Sequence, residues 1–284
     1  MSVAMSGYAR YRQVVSQLMS GEEQLPSLPT LTLEIRRALR SSEVSLEALS
    51  RLIGRDPALT ALLIKYSSSA LNRTSRKPKT LRDMLQVLGV GQVDRITMVH
   101  SIQSLFTLHS PGHKKLFMEA WERLILQASI CAFLATRLGH VQPEHALLAS
   151  LLSELGSLAL LSAFKDDEVP SRELYLSLAH EYSRSLGLVL LRKWAVDEEY
   201  VEVLRQSGNW SERGGYQLGV VDLVNLARYH SLRAFDPGLE LPPLRSVAAY
   251  NKLLPPHNLL DSNGLLQVVG ANREAIARLA ELMR

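Results

Sequence analysis

A chain of 284 residues with 46% hydrophobic and 21% charged content has a globular balance and enough material for one large domain or two ordinary ones. A single cysteine excludes a disulfide framework and a cysteine-based zinc site within the chain, and no stretch approaches eighteen consecutive apolar residues, which argues against a transmembrane span. The net charge of +4 is unevenly placed: 14 basic against 8 acidic residues in 1–112, and 18 against 20 in 113–284, so the amino-terminal part carries the excess that draws anionic partners.

The opening "MSVAMSGYARYRQVV" lacks the apolar run of a secretory signal, so a cytoplasmic location is expected. Leu31, Ile35 and Leu39 recur along one helical face. Leu46, Leu49 and Ile53 repeat the pattern behind Ser45, a good capping residue, and in "DPALTALLIKY" Asp56 caps while Pro57 takes the first helical position. "TLRDMLQVLG" predicts a helix from Thr80 that stops at Gly89, followed by a long helix from Val90 to Leu108.

A second long helix is expected from His113 to Leu138, and "QPEHALLASLLSEL" restarts after Pro143. Shorter helices are predicted near 171–186, 187–195 and 197–206, with a loop at 207–219, a helix near 220–234, a Pro-rich connection and a closing helix near 272–283. Apolar/polar alternation with β-branched enrichment is not sustained anywhere, so the fold class is all-α: a multi-helix bundle with an amino-terminal helical lobe. The expected division is 1–112, a basic amino-terminal lobe; 113–210, a second helical lobe; and 211–284, a helical extension.

Candidate chemistry is sparse. The eight histidines form no HxxxH or HExxH pair: Ser-Pro-Gly separates His109 from His113, and Pro143 separates His140 from His145. Cys131 lies in the apolar "ASICAFLA" and reads as a buried hydrophobe, and no GxSxG elbow is present. The acidic "KDDEV" at 165–169 reads as a solvated turn. Arg73, Arg76, Lys77, Lys79 and Arg82 crowd into "NRTSRKPKTLR" (72–82), a candidate contact for anions, nucleotides, nucleic acid or a phosphorylated partner.

Three segments stand in order along the first part of the chain: "LPSLPTLTLEI" (25–35), "SLEALSRLIGRDPALTALLIKYSSSA" (45–70) and "TLRDMLQVLGVGQVDRI" (80–96). Together they resemble the HDOD family, a catalytically degenerate relative of the HD-domain phosphohydrolases, with Ser68 where an asparagine is usual. The resemblance covers residues 22–210 and fades beyond them. It implies that "ASLLSELGSLALL" (149–161) is a former metal-site helix, with Ser153 and Glu154 where a His-Asp pair would stand. Arg123 and Ser183 then occupy two further metal-ligand positions. A carboxylate without imidazole neighbours cannot hold a catalytic metal, and Arg123 is expected to pair with Glu154. The resemblance thus implies a bacterial signalling or regulatory domain, not an enzyme, with no cofactor and no membrane partner. It would act on unidentified signalling proteins or a ligand through the basic loop or a groove between the lobes, and self-association is compatible with it. Nucleotide or nucleic-acid binding through 72–82 is the alternative, and residual metal-dependent phosphohydrolysis a weaker one.

Overall fold

In the computed structural model, residues 9, 12–17, 19–20, 27–41, 45–67, 78, 80–105, 111–164, 168–211 and 215–283 are described. They fall into two compact units: the described residues of 27–105 with 282–283, and those of 9–20 with 111–281. Among the described residues there is no β-strand, only an isolated antiparallel bridge between Leu260 and Leu266, and the all-α expectation holds.

The first unit contains α1 (Thr30–Leu39), α2 (Leu46–Ile53), α3 (Pro57–Ser67) and α4 (Leu81–Leu105). The capping expectations are realised: Ser45 Oγ accepts from the Ala48 amide at 3.2 Å, and Asp56 Oδ1 accepts from the Ala58 and Leu59 amides at 2.9 Å each. Thr80 and Asp83 form a reciprocal capping box, at 3.1 and 3.0 Å, that starts α4. The expected stop at Gly89 is a kink with φ 74°, after which helical geometry resumes within the same element. Ile35, Leu49, Ile53, Leu59, Leu63 and Val93 bury completely or nearly so in one core, which Leu282 joins. Each such side chain contributes roughly 1.5–3 kcal/mol by leaving water.

The second unit is built around α5 (Pro111–Leu138): every residue from Gln127 to Ala135 is buried, so that stretch runs through the core. The first half is amphipathic, with His113, Leu116, Ala120 and Trp121 buried and Lys114, Lys115, Met118 and Glu119 exposed. It packs against α6 (Pro143–Ser153), α7 (Leu155–Ala163) and α10 (Val220–Phe235); α8 (Arg172–Lys193) lies on α7, and α9 (Glu198–Gln206) on α6 and α8. Pro143–Ala163 is long and apolar enough to cross a membrane, but 89% of its apolar eighteen-residue window is buried within the fold.

Two expectations are corrected. The segment 149–161 is not one helix: Glu154, at φ −114° and ψ 5°, separates α6 from α7. The predicted break near 186 is absent, since α8 runs unbroken for 22 residues through Gly187. That glycine serves close packing: a Cβ there would meet Leu204 Cδ2 at 2.9 Å.

The extension folds back on this second unit. Lys252 Nζ lies 2.8 Å from Asp222 Oδ1 of α10, and Arg137 of α5 donates to Asn272 Oδ1 at 2.9 Å. The short α11 (Gln267–Gly270) leads to α12 (Arg273–Ala280), which packs on α5.

Candidate functional site

The interruption between α6 and α7 places Glu154 deep in the second unit, with its side chain 5% exposed. Its Oε2 accepts from Arg123 Nη2 of α5 at 3.1 Å, so the expected ion pair is present. Its Oε1 accepts from Arg228 Nη1 of α10, a residue the sequence reading did not single out. Arg228 Nη1 also donates to Ser207 Oγ at 3.0 Å, and Ser231 Oγ donates to the Arg123 carbonyl at 3.2 Å, which ties α10 to α5.

Two guanidiniums therefore share one carboxylate, and the cluster carries one positive charge in excess. Burial disfavours both cations and holds their pKa values below the ordinary arginine range; at Arg228 the neighbouring Arg123 charge adds to the effect. The Arg228 Nε is buried without a hydrogen-bond partner. Tyr175 of α8 donates to the Ser157 carbonyl at 3.1 Å. Burial raises its phenol pKa, although the Arg123 cation opposes this.

The other expected positions have different surroundings. Ser153 Oγ donates to the Ser150 carbonyl at 2.7 Å and accepts from the buried Gln127 amide at 3.3 Å. Ser183 meets this region through its backbone, because its carbonyl oxygen stands against Gly156. Arg82 is exposed in the first turn of α4. Arg73, Arg76, Lys77 and Lys79 lie outside the described residues, as do Ser68, 165–167 of the acidic run and the predicted helix end at Leu108.

The HDOD domain profile matches residues 25–209. The chain belongs to the HDOD domain family. This HDOD chain is 22% identical to an uncharacterized protein of Treponema pallidum over 199 residues, covering 64% of this chain and 37% of that protein. It is likewise 22% identical to the uncharacterized protein YuxH of Bacillus subtilis over 126 residues, 44% of this chain and 30% of that one. It therefore spans about a third of the length of these relatives.

Among solved structures, a Shewanella amazonensis protein provisionally named a metal-dependent phosphohydrolase superposes with a TM-score of 0.78 at 17% identity, covering 97% of this chain and all of that one. An HDOD domain protein of unknown function from Geobacter sulfurreducens gives 0.64 at 18% identity, over 95% and 96% of the two chains. A Marinobacter aquaeolei protein provisionally named a signal transduction protein gives 0.59 at 19%, over 97% of this chain and 66% of that one. At these identities the likeness establishes the fold alone.

The side chains of this HDOD site do not fit a metal. Its one carboxylate is bound on both oxygens by guanidiniums, and cations repel a further cation. Among the described residues no group of three or more His, Cys, Asp or Glu could hold a metal ion. Beside the cluster lies a cavity of about 280 Å³, lined by residues that include Leu116, Ala120, Arg123, Arg172, Tyr175 and Leu176. Of the residues found only in the structure, Arg228 had one faint sequence signal, a cation inside the apolar helical pattern of 220–232.

Proposed function

We propose that this HDOD chain is a non-catalytic regulatory domain of a bacterial cytoplasmic signalling system, which acts by binding a protein or a ligand. The observation that carries the reading is the Arg123–Glu154–Arg228 cluster. The carboxylate at the position where the family resemblance implies a metal ligand is neutralised from both sides by fixed side chains. A hydrolytic metal needs an open coordination position and free donors, and a carboxylate engaged in this way supplies neither. The membership in the HDOD family and the name of the Marinobacter protein support the regulatory reading.

The test is metal content together with turnover. Protein purified from cells grown with manganese, iron and zinc is expected to hold no stoichiometric transition metal. It is also expected to leave bis-p-nitrophenyl phosphate and cyclic dinucleotides intact with added divalent ions. Stoichiometric metal accompanied by phosphodiester hydrolysis would overturn the reading.

A further inference from the structure

The cavity beside Arg123 joins two kinds of wall. Leu116, Ala120 and Leu176 make it apolar, while the mostly buried Arg123 side chain supplies a cation and Tyr175 an aromatic ring. Arg172 and Glu119, half-exposed and 3.6 Å apart, flank it and offset each other's charge.

The deeper charges do not cancel. Glu154 balances one of the two guanidiniums that hold it, so a single positive charge remains where water is largely excluded. An uncompensated buried charge is costly, and an anion seated in the cavity would remove that cost. One negative charge suffices; a second would be unbalanced and would meet the Glu119 carboxylate. The planar guanidinium fork matches a carboxylate, and the apolar walls call for a hydrocarbon body. A volume of about 280 Å³ lies at the small end of ligand sites, which limits the length of that body.

We infer that the cavity binds a short amphipathic monocarboxylate, its carboxylate on Arg123 and its hydrocarbon chain against Leu116, Ala120 and Leu176. The inference rests on the non-catalytic reading above and supplies it with a chemical input.

The test uses the full chain and hexanoate as the probe, with calorimetric titration and thermal unfolding as readouts. Hexanoate is expected to bind saturably and raise the melting temperature, since it would bind only the folded form. Hexan-1-ol at equal concentration is expected to do neither. Arg123→Gln is expected to weaken hexanoate binding by at least about tenfold, and it leaves the Arg228–Glu154 pair balanced. Ala120→Leu fills the apolar part without touching any charge, and is expected to abolish binding while the protein stays folded. No saturable binding of hexanoate, an equal response to hexan-1-ol, or tighter binding of inorganic phosphate would each overturn the inference. None of these outcomes bears on the non-catalytic reading, which fails only on metal-dependent turnover.

Discussion

Gly156 of α7 lies directly against the carbonyl oxygen of Ser183 in α8, and no side chain fits between them. A Cβ at Gly156 would overlap that oxygen and stand 2.8 Å from the Gly187 amide nitrogen. The two helices touch through backbone at this crossing, and backbone cannot rotate aside as a flexible side chain can. Gly156→Ala is therefore expected to lower stability by 1–3 kcal/mol or more, as about the cost of overpacking a filled core, despite alanine's better helix propensity. Urea denaturation measures it; a variant as stable as the parent would show that the helices separate freely.

Removing the carboxylate is expected to cost more than removing either cation. Glu154→Gln leaves Arg123 and Arg228 facing each other without a counter-charge, at a cost of about 3 kcal/mol. Arg228→Met leaves the balanced Arg123–Glu154 pair and is expected to be milder. Denaturation midpoints at unchanged slope give this order directly. The reverse order would mean that the cluster is not governed by its excess charge.

Acid sensitivity should trace in part to His230. Burial lowers its pKa from 6.5 to about 4, with Asp261 acting in the opposite sense, and its Nε2 has no hydrogen-bond partner. The unfolded chain takes up a proton there below about pH 6.5, the folded chain only below about 4. Stability therefore falls as pH drops through that window and levels off beneath it, by at most about 3 kcal/mol. His230→Leu is expected to flatten this part of the curve of stability against pH, and an unchanged slope would remove His230 from the account.

In the first unit, Asp56 holds the start of α3 and also meets His100 Nε2 at 2.9 Å. Partial burial works against its charge, but the Leu59 and Ala58 amides and the His100 imidazole outweigh it and hold the carboxyl below its ordinary value. The associated stability is present above about pH 4 and is lost as pH falls through the lowered value. Asp56→Ala is expected to cost about 1 kcal/mol at neutral pH, with Asp56→Asn retaining much of the cap. Equal losses in the two variants would assign the effect to the His100 contact instead.

The helices were legible where capping chemistry and spacing agreed, as at Ser45, Asp56-Pro57 and the Leu31-Ile35-Leu39 stripe. Glycine misled at Gly187: locally it reads as punctuation, whereas here it permits a close approach to Leu204, a tertiary fact invisible in a window of neighbours. The break at Glu154 was hidden because the apolar run continues on both sides of it. For the site, Arg123 and Glu154 came from the family resemblance. Arg228 lies 74 residues beyond Glu154, and only the packing of α10 brings it there.

Two guanidiniums together carry the charge of a divalent ion, but they are covalently attached. A bound ion exchanges with its surroundings, so a fold that leans on one shares its fate with metal supply, competitor ions and chelators. The charge around Glu154 has no dissociation constant: it is fixed when the helices pack and lost only when they separate. The charge balance at Glu154 is in this respect independent of metal supply. What can still alter it is a group that competes for the guanidiniums themselves.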